Sequence, residues 1–124
     1  MTAPASILVI EDEFLVAMQM ETVLREAGWN VIGPAGTLVN AVSLARGAAC
    51  DGALLDVNLR GQRVDEVAAI LSDRGIPFLF TSGYGRENLP ATFRDSAEFL
   101  AKPVSDQTLV RAVREFLLRD KKIP

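Results

Sequence analysis

Five short apolar runs punctuate the chain: Ile7 to Ile10, Trp29 to Gly33, Ala53 to Val57, Pro77 to Phe80 and Glu98 to Ala101. Most are solid rather than alternating, the pattern of strands covered on both faces. Between them the apolar period changes. Val16, Met20, Val23 and Ala27 recur at steps of four, three and four, and Val64, Val67, Ala68 and Leu71 repeat that kind of stripe. Leu38, Val42 and Ala45 give a shorter version, and Leu109, Val113, Phe116 and Leu117 a strong terminal one. Each stripe predicts a helix with one face on the core. Gly28, Gly47 and Gly75 stand where left-handed caps would end the first three helices. Ser105 followed by Asp106 suits the start of the last.

The stretch between Thr81 and Ala97 is the least periodic, because GYGRENLPATFRDS offers little beyond Leu89 and Phe93. A short or displaced helix beginning near Pro90 is expected there. The whole alternation predicts an α/β fold: a right-handed, doubly wound, five-stranded parallel sheet with helices on both faces and an atypical fourth helix. Ligands of such sheets bind outside the carboxyl ends of the strands, at the switch point in strand order.

Polar residues follow the apolar runs at that edge. Glu11 and Asp12 come after ILVI, Asp56 closes ALLD, Thr81 follows FLF, and Lys102 follows EFLA. Two or three carboxylates, a hydroxyl and an ammonium on one rim form an acidic pocket that attracts a metal and holds one cation of its own. Such a set suits phosphoryl transfer onto a carboxylate, since Asp56 can attack phosphorus as a nucleophile.

Composition narrows the partners. With 124 residues, 49% hydrophobic and 23% charged, the chain fits one soluble globular core. No apolar stretch approaches a membrane span, and MTAPAS lacks the basic start of a secretory signal, so the cytoplasm is expected and a membrane is not. A net charge of −3 without a basic cluster leaves no footprint for nucleic acid. Cys50 has no second cysteine to pair with. The chain has no histidine, which excludes histidine triads and any histidine phosphodonor of its own. If a phosphoryl group arrives here, a partner supplies it.

These residues, in this order at the predicted strand ends, resemble the receiver domains of two-component response regulators over nearly the whole chain, from Ile7 to about Leu118. The resemblance implies a flavodoxin-like receiver fold and a phosphoprotein of signal transduction, not a classical enzyme. It makes Asp56 the phosphoacceptor, assisted by Thr81 and Lys102. Mg2+ (or Mn2+) would be held by Asp12, Asp56 and the backbone carbonyl of Asn58, with Glu11 direct or through water. Lys102 and Pro103 match a family position where the peptide is cis. Phe99, three residues before Lys102, matches the aromatic switch position, and without a hydroxyl its switch would be one of packing. Asn58 and Gly83 match two positions that modulate water's access to the acyl phosphate.

FLFTSGYG departs from ordinary receivers and resembles the FATGUY subgroup of stand-alone receivers, which points to Tyr84 as a contact or switching residue. The implied partners are a sensor histidine kinase or histidine phosphotransferase and a downstream protein that the sequence does not name. A homodimer formed on phosphorylation is a further outcome in the family. Met1 and the lack of a linker after Leu118 lead to the expectation of a single receiver spanning 1–124, with its core at about 6–119 and no output domain. Two other readings stay open. One is a phosphorylation-independent pseudo-receiver scaffold. The other is a metal-dependent phosphohydrolase of the HAD type, which wants an acid where this chain has Asn58.

Overall fold

The computed structural model describes residues 3–83, 85–95 and 98–121. Among the described residues, seven strands and four α-helices follow one another. They are β1 (Ser6–Ile10), α1 (Phe14–Glu26), β2 (Asn30–Ala35), α2 (Leu38–Gly47), β3 (Gly52–Asp56), β4 (Asn58–Leu59), β5 (Gln62–Arg63), α3 (Asp65–Asp73), β6 (Phe78–Ser82), β7 (Phe99–Ala101) and α4 (Asp106–Lys121). Five strands form one parallel sheet in the order β2-β1-β3-β6-β7, while β4 and β5 make a separate antiparallel hairpin. The order reverses between β1 and β3, so the expected switch point lies at their carboxyl ends.

Strand alternation divides the core. Leu8 and Ile10 of β1 pack with Ala41, Ala45, Val67, Ala68 and Leu71, which puts α2 and α3 on one face of the sheet. Ile7 and Val9 pack with Met20, Val23, Leu24, Val113 and Phe116, which puts α1 and α4 on the other. Both faces of β1 and β3 are therefore dry, as their solid apolar runs demand. The buried stripe of α1 is Ala17, Met20, Val23 and Leu24, a small rotation from the expected one, which leaves Val16 and Ala27 half-buried.

Two of the three expected glycine caps are left-handed, Gly28 at φ +99° and Gly75 at φ +72°. Gly47 is instead the last helical residue of α2, and Ala48 leaves the helix in extended backbone. The last helix starts as predicted, with the Ser105 hydroxyl accepting from the Thr108 N–H at 3.1 Å.

A bulge in β2 was not foreseen. In β2, Gly33 and Pro34 together stand opposite the single Val9 of β1, because the register runs Leu8 to Ile32 and then Ile10 to Ala35. Gly33 takes φ +94° there, and a Cβ would lie 2.8 Å from the Val9 carbonyl oxygen. Only glycine fits that close approach. Beyond the bulge, the Ala35 carbonyl accepts the Glu11 N–H at 3.0 Å, which fixes the backbone where β1 ends.

The atypical fourth helix proves to be two single 3-10 turns, Arg86–Asn88 and Ala91–Phe93, the second starting beside Pro90 as expected. Leu89 is fully buried, and the Phe93 ring meets Phe78 edge-on at 5.5 Å between centroids. These two anchors lie four residues apart with Pro90 between them, enough to pin a turn and too few to lay a helix on the sheet.

Candidate functional site

Glu11, Asp12, Asp56, Thr81 and Lys102 converge at the carboxyl rim. Parallel pairing does much of this, since Asp56 and Thr81 are register partners on β3 and β6. Lys102 follows β7, and its N–H donates to the Ser82 carbonyl at 2.8 Å, tying the end of β7 to β6. The Lys102–Pro103 peptide is cis, as expected from the resemblance, and Gly33–Pro34 is cis as well.

The Lys102 ammonium lies 2.9 Å from Glu11 Oε1, 3.0 Å from Asp56 Oδ2 and 3.8 Å from Glu13 Oε1. Burial works to lower its pKa. Hydrogen bonds to Glu11 and Asp56, with the charges of both, outweigh burial and hold it above the ordinary lysine value. Glu11 moves the other way in charge: burial, the largest influence, raises its carboxyl from 4.5 to about 7, and the Asp56 charge adds to the rise. Lys102 and the Glu13 N–H, which donates to Glu11 Oε2 at 3.1 Å, pull against it.

The carboxylates of Glu11, Asp12 and Asp56 each offer an oxygen, and these lie within 4.8 Å of one another. Three hard, negatively charged oxygen donors at that spacing fit Mg2+ or Mn2+, which favour such oxygens. Asp56 Oδ1 accepts the Asn58 N–H at 3.2 Å, so Asn58 belongs to the same turn. The Asn58 side chain points away from this task, accepting the Gly61 N–H at 2.7 Å.

Thr81 lacks the ion-pair partner that Glu11 and Asp56 share in Lys102. Its hydroxyl oxygen is buried and has no hydrogen-bond partner among the described residues. A buried polar atom in that state costs about 1–3 kcal/mol. Thr81, Lys102, Gly83 and Glu13 also line one side of a cavity of about 380 Å³ whose apolar wall includes Met20 and Leu109.

Phe99 is half-buried on β7, opposite Phe80, with the Arg86 guanidinium 5.3 Å from its ring centroid. It stands on the strand next to that of Thr81 and two strands from that of Asp56. Tyr84 lies outside the described residues. Two residues near the site escaped the sequence reading. Glu13 is a third acid in the run EDE, a signal that was available, while Arg60, whose N–H donates to Asp12 Oδ2 at 2.9 Å, gave none.

Comparison with known proteins agrees with this geometry. The response regulator receiver domain family matches residues 7–114. The transcriptional regulatory protein PdtaR of Mycobacterium tuberculosis is 31% identical over 123 residues, which cover 97% of this chain. The chain spans 60% of the length of that relative. The solution structure of SdrG from Sphingomonas melonis Fr1 superposes with a TM-score of 0.79 at 35% identity, over 95% of this chain and 99% of that one. The BeF3-activated conformation of SdrG, from Pseudomonas melonis Fr1, gives 0.73 at 34% identity, over 94% and 99%.

Proposed function

The chain belongs to the response regulator receiver family, and from that premise we propose that it accepts a phosphoryl group on Asp56 from a partner's phosphohistidine and thereby changes its affinity for another protein. The observation that carries this reading is the buried Thr81 hydroxyl without a partner, the register neighbour of an Asp56 already paired with Lys102. An unsatisfied donor is poorly explained by folding alone and well explained by an arriving oxygen.

In the step itself, an ionised Asp56 oxygen attacks phosphorus. The new P–O bond forms as the P–N bond to the imidazole breaks, and the electron pair returns to that ring nitrogen, so the imidazole leaves neutral with its proton on the other nitrogen. Negative charge spreads over the equatorial phosphoryl oxygens. Lys102 balances one of them and the Thr81 hydroxyl donates to another. Asp12, Asp56 and the Asn58 carbonyl, with Glu11 direct or through water, would hold Mg2+ or Mn2+, which supplies neutralising positive charge to the phosphoryl oxygens. Movement of Thr81 toward the acyl phosphate opens space beside β7, and Phe99, with no hydroxyl to satisfy, can follow by repacking.

The phosphohydrolase alternative has less support, because position 58 carries an amide occupied with Gly61 rather than an acid. The relative SdrG has been solved in a BeF3-activated conformation, which suggests the test. Titration of this chain with Mg2+ and beryllium fluoride should move the amide resonances of Thr81, Ser82 and Lys102 in the wild type and leave them in place in Asp56→Asn. Unmoved resonances in the wild type would refute the proposal.

A further inference from the structure

Residues Arg60 and Gly61 form the two-residue loop of the β4–β5 hairpin, and both have positive φ, 52° and 85°. Such loops favour asparagine, aspartate or glycine at the first position, because other side chains crowd the backbone in the left-handed region. Arginine stands there instead. Among the described residues it is the one residue other than glycine with positive φ.

The local contacts show what this conformation achieves. The Arg60 N–H donates to Asp12 Oδ2 at 2.9 Å across 48 positions of sequence. The turn is braced within itself by the Gly61 N–H on Asn58 Oδ1 at 2.7 Å, and Leu59 is fully buried beneath it. The Asn58 N–H donates to Asp56 Oδ1 at 3.2 Å. One short hairpin therefore gives an amide to each of two neighbouring carboxylates, two residues apart.

We propose that the Arg60 backbone N–H is a positioning donor that holds the Asp12 carboxylate in its cation-binding orientation, and that the left-handed turn at Arg60 and Gly61 presents it. The proposal rests on the divalent-cation reading above. One Asp12 oxygen is occupied by the amide, and the same carboxylate offers an oxygen within 4.8 Å of those of Glu11 and Asp56. Outer donors of this kind typically change metal affinity by about 10- to 100-fold when lost.

The test varies the backbone preference of residue 60 while holding its charge change constant. Arg60→Gly and Arg60→Val both remove the guanidinium, but glycine adopts positive φ freely and a β-branched side chain resists it. Mg2+ affinity, measured by calorimetry, should stay within about twofold of wild type in Arg60→Gly and fall roughly tenfold or more in Arg60→Val. Arg60→Ala should fall between them and serves if the valine variant does not fold. In the metal-free protein, the residue 60 amide should exchange slowly with solvent in the wild type and Arg60→Gly and quickly in Arg60→Val. Equal Mg2+ affinity across the three variants, or fast exchange of this amide in the wild type, would overturn the proposal while leaving the receiver function standing. Absence of Mg2+ binding to the wild type would overturn both.

Discussion

Lys102 Nζ lies 3.0 Å from Asp56 Oδ2 and 2.9 Å from Glu11 Oε1, so a single ammonium is shared by two carboxyl groups that the sheet buries side by side. Removing it leaves both without their counter-charge. Lys102→Met should destabilise the metal-free protein by about 1–3 kcal/mol. Urea denaturation in EDTA would measure this, and added Mg2+ should narrow the gap by replacing the lost positive charge. Equal stability of the two proteins in EDTA would show that the ion pair adds nothing to the folded state.

Glu11 makes the site sensitive to pH. Burial raises its carboxyl from 4.5 to about 7 in the folded protein. The folded state therefore keeps a proton that the unfolded chain has released. Stability from this group is complete below the unfolded value and lost as pH rises through about 7. Mg2+ must displace the same proton, so its apparent affinity should be about tenfold weaker at pH 6 than at pH 8. Glu11→Gln should flatten both profiles. Unchanged slopes in that variant would assign the titration to another group.

Thr81 should show stability and function in opposition. Valine matches threonine in shape and removes the unpartnered hydroxyl. Thr81→Val is expected to raise stability by about 1 kcal/mol in the unphosphorylated protein while slowing phosphoryl transfer to Asp56. Thr81→Ser, which keeps the hydroxyl, should retain most of the transfer rate. Loss of stability in Thr81→Val would mean that the hydroxyl already has a partner.

Gly33 supports the site from a distance. Its φ of +94° and the 2.8 Å approach of any Cβ to the Val9 carbonyl leave no room for a side chain. Gly33→Ala should cost about 2 kcal/mol or more, because the strained backbone and the overlap add. The bulge carries the Ala35 carbonyl that accepts the Glu11 N–H, so Mg2+ affinity should fall with stability. A thermal melt and a Mg2+ titration on the same sample would check both.

Much of this site was legible in the sequence. Solid apolar runs located β1, β3 and β6 because burial on both faces leaves no polar position to blur them, as in β3, where Gly52 through Asp56 are all buried. Once the strands were parallel, the residue after each apolar run had to emerge at one rim, which brought Asp56, Thr81 and Lys102 together across long separations. The hairpin at Asn58 to Arg63 was not legible, since its two strands are two residues each and Arg60 is an unlikely residue for the loop. Nor was the bulge at Gly33 read, although Gly33 and Pro34 break the apolar run at that point. Between Gly85 and Asp95 the sequence announced an interruption without its form, because two anchors, Leu89 and Phe93, are compatible with either a short helix or two turns.

The central claim is that Asp56 receives phosphorus, and intact-mass spectrometry after incubation with acetyl phosphate and Mg2+ tests it most directly. The wild type should gain a single phosphoryl group that is lost in alkali, as an acyl phosphate is, and Asp56→Asn should gain none. A wild type of unchanged mass, or an adduct that persists in Asp56→Asn, would contradict the account.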